Sequence, residues 1–519
     1  MKNVNKIVKN FQKFRRWGAA KLENAAKIVA FFGDKVGMAA VDTAKLYNTE
    51  TRRMEAIAPG QPDGLLRIYC CGPTVYHYAH IGNFRTFLVQ DVLRRLLLAM
   101  GYRLRFIRNI TDVDDKTIRG AQRERTSLGA FTQKWTDIFH GDCDALNILR
   151  PDGEPRATEH IAEQIAMVEA LIRKGHAYAT ADGSVYFRLS SFPVYGRLSG
   201  VDVGQLAPQA NDTGETANLA DEYGRDSVSD FALWKAHKAE DGDIFWESPW
   251  GKGRPGWHIE CSAMSMKYLG ETIDLHGGGI DLCFPHHENE IAQAECVTGK
   301  PFVRHWFHSE HLQVEGQKMS KSLGNLLTLM DLKGRGYAPD GVRYALLSGH
   351  YRQILNFTFS GLDAARSALQ KLRTKVAQLR STAEGNAADY SQKTETIPQK
   401  IATYRHFAAA IEALKNDLNI PKCLGEIFSV LNRTAAADRQ FFEELRSIFF
   451  ILGIEIFSDT DPNRAPSVPD AIAALAAQRW EAKQNKNFGE ADRLRQVLAE
   501  KGWDVVDGKD SYDLEPNGR

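Results

Sequence analysis

The stretch Ile68-Tyr69-Cys70-Cys71-Gly72-Pro73-Thr74-Val75-Tyr76-His77-Tyr78-Ala79-His80-Ile81-Gly82-Asn83 decides the fold. An apolar run leads into a Gly-Pro turn, and apolar side chains then recur at helical spacing over residues 84–97. A second apolar segment, 104–107, follows at once. This order predicts a strand, a helix and a parallel strand. The helix N-terminus would attract phosphate; the alternative is an ordinary turn with a surface histidine.

A second motif lies far downstream, at Lys318-Met319-Ser320-Lys321-Ser322. Its two lysines could hold two points on a triphosphate, with hydroxyl and backbone N–H groups as further donors. Alone, such a pentamer is typical of a solvated loop. Paired in this order with His80-Ile81-Gly82-Asn83, it resembles the two signatures of the class I aminoacyl-tRNA synthetases.

Composition is that of a soluble globular protein: 519 residues, 43% hydrophobic and 25% charged. The length predicts about three or four domains. No apolar run approaches the roughly 18 residues that span a bilayer, so we expect no membrane association. Seven cysteines without a Cys-x-x-Cys pair favour a reducing cytoplasm.

The first 45 residues are strongly basic, with ten lysines and arginines against three acidic residues. Three interpretations remain open for this segment: a poorly ordered or partly helical extension, including a start assigned too early; an RNA-binding appendage; and an organelle address.

Four potential metal ligands stand in separate motifs. Cys71 ends the first predicted strand, and Cys261 falls near the start of a predicted helix. His286 and Glu290 are four residues apart after Pro285, so they are predicted to share one helix face. Two thiolates, an imidazole and a carboxylate suit Zn²⁺. The alternative is that these cysteines are buried as small hydrophobic residues, which is common where no Cys-x-x-Cys pair is present.

Five motifs together carry a closer resemblance. They are Cys-Gly-Pro-Thr-Val-Tyr from residue 71, His-Ile-Gly-Asn from 80, Trp-His-Ile-Glu-Cys-Ser-Ala-Met from 257, His-Gly-Gly-Gly-Ile-Asp-Leu-Cys-Phe-Pro-His-His-Glu-Asn-Glu from 276 and Lys-Met-Ser-Lys-Ser from 318. From about residue 46 to the end, the chain resembles the cysteinyl-tRNA synthetase family.

The resemblance implies a ligase that activates L-cysteine with ATP and Mg²⁺ and transfers it to the 3′ end of tRNA(Cys). It also implies a monomer and one zinc ion per chain, which reads the substrate thiolate. The ligands carried over from the family are Cys71, Cys261, His286 and Glu290.

The same resemblance assigns the remaining site residues. The cysteine pocket would comprise Gly72, Thr74, Thr111 and Trp257. ATP would be bound by His80, Gly82, Asn83, His276, Gly278, Asp281 and Lys321. Catalysis would depend on His80, Lys318 and Lys321. His276 is expected in a glycine-rich turn after a strand. Asn83 stands where many class I enzymes have a second histidine.

The predicted fold class is α/β: a Rossmann-like parallel-sheet catalytic domain with an inserted connective domain, then an all-α helical bundle and a small mixed C-terminal domain. The expected boundaries are 1–45 for the extension, 46–330 for the catalytic domain with an insertion at about 139–230, 331–365 for a stem, 366–457 for a tRNA-binding bundle and 468–519 for an anticodon-recognition domain.

Two alternative functions remain open. A related ligase transfers cysteine to an amino sugar but lacks the full C-terminal region, and a catalytically inactive paralogue would only bind RNA. In the last domain, basic residues beside Trp480 predict an anticodon-binding face: Arg479, Lys483, Lys486, Arg493 and Arg495. A persulfide-forming side activity is disfavoured because Arg119 replaces a lysine.

Overall fold

The structure is a computed structural model that describes residues 43–201, 217–218, 230–319, 324–382, 401–457, 470–485, 487–501, 503–508 and 511–516. The chain divides into two compact units, Met1–Thr43 and Ala44–Arg519. The predictions for the basic N-terminal segment and for Lys321 therefore lie outside the described residues. The helices and strands of the described residues all belong to the second unit.

Helices alternate with strands in the first part of this unit and predominate in the second. The helices of the described residues are α1 (Ile81–Ala99), α2 (Asp115–Glu124), α3 (Leu128–Ala145), α4 (Ile161–Arg173), α5 (Trp257–Leu269), α6 (Glu288–Thr298), α7 (Leu329–Gly334), α8 (Pro339–Leu347), α9 (Phe359–Thr382), α10 (Ala408–Lys415), α11 (Ile420–Arg433), α12 (Arg439–Leu452), α13 (Asp470–Gln484) and α14 (Phe488–Glu500). Short turns at Ala157–His160, Leu189–Ser191, Ala239–Asp241, Ile280–Leu282, Cys283–His287 and Ile401–Thr403 are also helical.

The strands described are β1 (Lys45–Asn48), β2 (Arg53–Ala56), β3 (Leu65–Cys70), β4 (Arg103–Arg108), β5 (Ala177–Ala179), β6 (Val185–Phe187), β7 (Ala217–Asn218), β8 (Asp230–Ala236), β9 (Gly253–Pro255), β10 (Leu275–Gly279), β11 (Trp306–Ser309), β12 (Leu312–Val314), β13 (Gln317–Lys318), β14 (Leu355–Phe357), β15 (Trp503–Asp507) and β16 (Tyr512–Pro516).

A parallel sheet in the order β11-β10-β3-β4 positions the functional residues. The opening stretch forms the predicted strand, helix and strand, with β3 paired in parallel to β4 across α1. Because carboxyl ends of parallel strands meet at one edge, the residues after β3, β4 and β10 converge there. The α/β class and its parallel sheet are confirmed.

A second sheet lies between β4 and β10 in the sequence. Its order is β5-β6-β8-β7, and β9 pairs with β8. Residue 139, where the inserted segment is predicted to begin, lies inside α3. Phe139 stacks on Phe84 of α1 with ring centroids 6.1 Å apart, so α3 packs against the first sheet's core. The strands of the second sheet begin only at Ala177.

The C-terminal region is helical, as predicted, and ends in an antiparallel β15-β16 hairpin. The predicted basic face there is largely paired within the chain. Arg479 is only 3% exposed and donates from Nη2 to Asp507 Oδ2 at 2.6 Å. Lys483 and Arg495 also bind that carboxylate, at 2.9 and 2.8 Å. Arg479 is therefore a structural residue, because its guanidinium fixes the hairpin on α13. Lys486 lies outside the described residues.

Asp91 of α1 is the centre of a buried ionic cluster. Its Oδ2 accepts from Arg95 Nε at 2.8 Å and from Arg343 Nη2 at 2.6 Å, while Oδ1 accepts from the Leu149 amide at 2.9 Å. Burial opposes ionisation, but the two guanidinium groups hold the pKa of Asp91 below its ordinary value. Arg343 also donates to the Leu452 carbonyl at 2.7 Å, at the end of α12. The cluster thus ties α1 to the helical region.

Replacing Arg343 with methionine is expected to cost about 3–5 kcal/mol of unfolding free energy, because it leaves part of the Asp91 charge buried and unpaired. Urea denaturation followed by circular dichroism measures this. The matched control is Arg366→Met, since Arg366 pairs with Asp363 at 3.2 Å on the surface, with side chains 49% and 51% exposed. That change is expected to cost less than about 1 kcal/mol. Equal losses of unfolding free energy in the two variants would contradict the assignment of Arg343 as the partner of a buried charge on Asp91.

Candidate active site

The two sequence signatures meet at the N-terminus of α1. The Ile81 amide donates to the Leu327 carbonyl at 2.9 Å, and His80 forms a β-bridge with Thr328. A Cβ added at Gly82 would lie 3.2 Å from Cε of Met319, so a larger residue would crowd the lysine motif. Of that motif, Lys318 and Met319 are described, and Lys318 is exposed.

His80 is the N-cap of α1. Its Nδ1 accepts from the Asn83 amide at 3.2 Å, and the Asn83 side-chain oxygen accepts from the His80 amide at 3.1 Å. Burial lowers the pKa of His80, although Asp281 partly opposes the shift. A neutral ring with Nδ1 as acceptor carries its proton on Nε2. His80 can therefore donate one hydrogen bond from Nε2 beside a helix N-terminus.

The four proposed metal ligands converge at the end of β3, which Cys71 directly follows. Sγ of Cys71 lies 3.9 Å from Sγ of Cys261 and 3.8 Å from Oε1 of Glu290. His286 Nε2 lies 3.0 Å from the same carboxylate oxygen. All four donor atoms lie within 4.8 Å of one another, and all four residues are buried. Around one tetrahedral ion, bonds of about 2.0–2.3 Å would place ligand atoms roughly 3.3–3.8 Å apart, so small shifts of these side chains would let all four bind one ion.

The charges in this cluster favour a cation. The Cys71 thiol donates to Cys261, which lowers the pKa of Cys261 to about 6 despite burial. Burial raises the pKa of Glu290, but His276 and His286 outweigh it and hold the value at about 2. Burial likewise opposes protonation of His286, yet Cys261 and Glu290 raise its pKa to about 10. Without a metal, two anionic side chains and the His286 imidazolium thus share one buried site, and a divalent ion would take the place of the imidazolium proton.

A second combination of ligands shares Cys71 and Glu290 but substitutes His276 and His287. Its atoms already bond one another: His276 Nε2 lies 3.0 Å from Glu290 Oε2, and His287 Nε2 lies 3.5 Å from Cys71 Sγ. Nε2 of His286 likewise lies 3.0 Å from Glu290 Oε1, so contact with the carboxylate does not distinguish the two combinations. The first combination contains two sulfur atoms. The donor set with Cys261 and His286 therefore fits a thiophilic ion better.

The backbone before Glu290 agrees with the prediction. Within Cys283–His287, the residue with non-helical angles is Phe284, at φ −138° and ψ 132°. The chain is therefore helical from Pro285 into α6, and a proline suits the first position of a helix. His286 Nε2 lies 3.0 Å from Glu290 Oε1 at the i, i+4 spacing, so the two proposed ligands share one helix face.

The His276 glycine motif was misassigned, because it forms β10 rather than a turn after a strand. Glycine is required at these positions because a side chain would be too close to neighbouring aromatic rings. A Cβ at Gly277 would lie 3.0 Å from the Phe307 ring, and one at Gly278 would lie 2.9 Å from the His287 ring. The absence of side chains here lets His287 pack directly on the sheet.

The residues assigned to the cysteine pocket border the metal cluster. The Gly72 amide donates to Asn109 Oδ1 at 2.9 Å, and a Cβ at Gly72 would overlap the Asn109 carbonyl. Thr74 forms a parallel bridge with Thr111, which is buried. The Trp257 ring lies over His286 with centroids 4.3 Å apart. The structure thus brings all four predicted pocket residues to the sheet edge beside Cys71.

The residues assigned to ATP have different surroundings. Asp281 is exposed just after β10. A Cβ at Gly279 would approach its carboxylate, so the acid lies against the strand end. His276 is completely buried and directed at Glu290, so its described contacts are with the metal cluster. Contact between His276 and ATP stays a prediction.

Sequence reasoning missed a set of supporting histidines. His287 Nδ1 lies 2.8 Å from His308 Nε2, and His308 Nδ1 lies 2.8 Å from Thr49 Oγ1. Burial lowers the pKa of His308 to about 3, so this ring is neutral. His258 Nδ1 lies 2.9 Å from His286 Nδ1 and orients the proposed ligand. The consecutive histidines at 286 and 287 were the available signal.

Comparison with known proteins agrees with this architecture. The family described as "tRNA synthetases class I (C) catalytic domain" matches residues 59–367. The methionyl-tRNA synthetase of Mycobacterium tuberculosis in complex with methionyl-adenylate has a similar fold, with a TM-score of 0.51 and 15% identity over 75% of this chain and 88% of that one. The chain is thus a class I aminoacyl-tRNA synthetase.

Full-length relatives narrow the assignment. Cysteine–tRNA ligase of Opitutus terrae is 53% identical over 476 residues, which cover 91% of this chain and 99% of that protein. Cysteine–tRNA ligase of Chlamydia muridarum is 43% identical over 89% of this chain and 98% of that protein. The chain belongs to the cysteine–tRNA ligase family, and it is an enzyme that forms aminoacyl-tRNA. Within the part of the chain described, no helix is long and apolar enough to cross a membrane.

Proposed function

We propose that this enzyme activates L-cysteine with ATP to cysteinyl-adenylate and transfers the cysteinyl group to the 3′ end of tRNA(Cys). The observation that carries the proposal is the convergence of Cys71, Cys261, His286 and Glu290 at the end of β3, the strand that leads into α1 and its cap His80. A thiol-selective donor set next to a phosphate-attracting helix end joins recognition of cysteine to its activation.

A zinc ion would be held by the two thiolates, the His286 imidazole and Glu290. When bound, it would supply a soft Lewis acid that prefers the substrate's thiolate to the hydroxyl of serine. Because Glu290 Oε2 is already held by His276, Glu290 is the ligand best suited to yield a position. Gly72, Thr74, Thr111 and Trp257 would then close around the substrate's small side chain. Discrimination by ligand softness needs no editing reaction.

Activation itself would depend on positioning and charge. The cysteine carboxylate attacks the α-phosphate of ATP, and pyrophosphate leaves with its Mg²⁺. His80 donates from Nε2 to a phosphate oxygen, while Lys318 and Lys321 neutralise the charge of the departing pyrophosphate. Because Gly82 and Gly278 have no side chains, ATP would be able to approach the backbone closely at these positions. Asn83, Asp281 and His276 would complete the ATP site. A terminal ribose hydroxyl of tRNA then takes the cysteinyl group.

The other segments would serve tRNA binding. We propose the boundaries 46–330 for catalysis with an insertion at about 139–230, 331–365 for a stem, 366–457 for the bundle and 468–519 for anticodon recognition. The segment 1–45 would be a separate basic extension. The enzyme would act as a cytoplasmic monomer. The alignment with cysteine–tRNA ligase of Opitutus terrae covers 91% of this chain and 99% of that protein. The chain therefore has the C-terminal region that a ligase using an amino sugar lacks, which argues against that alternative.

ATP–pyrophosphate exchange with a panel of amino acids tests the activation step, and charging of a transcript with a GCA anticodon tests the transfer. We expect exchange with cysteine alone and charging of that transcript. Exchange with another amino acid, or charging of an amino sugar in place of tRNA, would contradict the proposal.

Metal analysis of the purified protein is expected to find about one zinc ion per chain, because one donor set of four ligands is proposed. Dialysis against a chelator should remove cysteine-dependent exchange, and added zinc should restore it. A fully active protein without metal would contradict the zinc assignment.

A further inference from the structure

A buried carboxylate, Asp417, joins the helical region to two segments that precede it in the chain. It lies between α10 and α11 and is 5% exposed. Its Oδ1 accepts from the Tyr47 amide of β1 at 3.0 Å and from the Tyr351 hydroxyl at 2.5 Å. Its Oδ2 accepts from Arg352 Nε at 2.7 Å and also from Nη2 of the same guanidinium. We name these four residues the Asp417 cluster.

Two successive residues at this point have left-handed backbone angles. The φ angle is 63° at Asp417 and 45° at Leu418, which is completely buried. Such angles are uncommon in residues other than glycine, and they persist where surrounding contacts hold them. Residues of this kind are concentrated at functional sites. The Asp417 amide also donates to the Lys45 carbonyl at 2.8 Å, so backbone and side chain are both fixed.

The turn that contributes the tyrosine and arginine of the cluster is also bound to α1. Arg85 of α1 is 1% exposed, and its Nη2 donates to the carbonyls of His350 and Gln353 at 3.1 and 2.6 Å. Its Nη1 donates to the carbonyls of Glu310 and His311 at 3.1 and 2.6 Å. One buried guanidinium therefore fixes both the turn before β14 and the residues before β12 relative to α1.

This turn leads into the small sheet that carries the lysine motif. β14 follows the turn and pairs in parallel with β12, and β12 pairs with β13, whose last residue is Lys318. Just before β12, the Glu310 amide donates to the Tyr351 carbonyl at 2.7 Å. The three strands are only two or three residues long. The position of Lys318 therefore depends on the segments that hold this sheet at its ends.

We propose that Asp417 is a positioning residue for amino-acid activation: by fixing the turn before β14, it sets the position of Lys318 beside the proposed ATP site. The inference rests on the proposed function, in which Lys318 neutralises charge on the departing pyrophosphate. Arg85 connects the same turn to the helix that His80 caps, so the two signatures share one support. A displacement of about 1 Å caused by a distant substitution can cost roughly a hundredfold in rate.

The competing interpretation is that the Asp417 cluster only stabilises the fold, so that any loss of activity follows loss of stability. A second buried carboxylate in the helical region separates the two interpretations. Glu444 of α12 is 2% exposed, and its Oε1 accepts from the Arg405 amide at 2.8 Å. Its Oε2 accepts from the amides of His406 and Phe407 at 2.8 and 3.1 Å. These partners all belong to the helical region, away from the lysine motif in the chain.

Asp417→Asn can retain an oxygen for Tyr47 and Tyr351 but removes the charge that binds Arg352. We expect kcat of cysteine-dependent pyrophosphate exchange to fall about 10–100-fold, while KM for cysteine changes less than about twofold. Glu444→Gln is the matched control. It should lose a comparable free energy of unfolding in urea and keep kcat within about twofold of wild type, because it leaves the turn before β14 in place.

Hydrogen exchange measured by mass spectrometry gives a readout besides activity. The amides of residues 312–318 should exchange faster in Asp417→Asn than in wild type and at the wild-type rate in Glu444→Gln. Arg352→Gln removes the partner of the carboxylate at a side chain that is 39% exposed, so this variant is expected to fold. It should show the same two effects, and it carries the test if Asp417→Asn does not fold.

Unchanged kcat in both Asp417→Asn and Arg352→Gln would overturn the proposal. A similar loss of kcat in Glu444→Gln would also overturn it, because the effect would then follow stability. Unchanged exchange of residues 312–318 would contradict the proposed route through the turn. Failure of the proposed function is distinguishable, since the wild-type protein would then not exchange pyrophosphate with cysteine.

Discussion

Cys261→Ser is expected to lower kcat/KM for cysteine in ATP–pyrophosphate exchange at least about a hundredfold, while KM for ATP changes less than about threefold. The physical reason is the loss of one soft ligand from a buried site with few alternatives. Without a metal contact to the substrate's sulfur, only pocket size would separate cysteine from serine, and differences of that kind give modest factors of roughly 10–200. Preference for cysteine over serine should fall accordingly.

Cys70→Ala is the matched control for that experiment. Cys70 is the neighbouring buried cysteine in β3, its Sγ lies 3.5 Å from the Cβ position of Gly277, and it belongs to neither donor set. Its removal should leave zinc content and the preference for cysteine intact. If Cys261→Ser kept full zinc content and an unchanged preference, Cys261 would not be a ligand that matters for specificity.

His80→Asn is expected to reduce kcat of pyrophosphate exchange about 10²–10³-fold, the usual effect of deleting one donor to a transition-state charge. Asparagine keeps a side-chain acceptor for the Asn83 amide, so the cap of α1 survives. The imidazole Nε2 donor is lost. Stability should therefore remain close to that of wild type, and kinetics and thermal unfolding of the same sample measure the two effects.

Two further variants separate capping from catalysis. His80→Ala should lose the same activity and also about 0.5–2 kcal/mol of stability, because the cap is removed. Ser127→Ala removes the cap of α3, where Ser127 Oγ accepts from the Ala130 amide at 3.2 Å. That variant should lose stability but keep kcat. Near-normal exchange by His80→Asn would refute the proposed role of the ring.

Local patterns predicted the central βαβ unit well. The apolar run of β3, the helical period of α1 and the segment that became β4 each show their structure in consecutive residues. The glycines of β10 could not be assigned in this way, because glycine has no side chain to show a strand period. Their reason is tertiary: the rings of Phe307 and His287 occupy the space that side chains would need.

The site was predicted in part. The residue types of Cys71, Cys261, His286 and Glu290 suggested a metal, but only the family resemblance selected these four from separate motifs. The supporting rings of His258 and His308 depend on contacts between elements far apart in sequence, so no local spacing indicated them. The pairing of Arg479 with Asp507 was missed for a similar reason. The local sequence of a helix does not show which residue of another element its basic side chain contacts.

Zinc-edge X-ray absorption of the enzyme with and without cysteine tests the central claim most directly. We expect two sulfur neighbours from Cys71 and Cys261 in the free enzyme, and a third after L-cysteine is added. L-serine at the same concentration should leave the spectrum unchanged. A spectrum with no sulfur neighbours, or one that cysteine does not alter, would contradict recognition of the substrate thiolate by the metal.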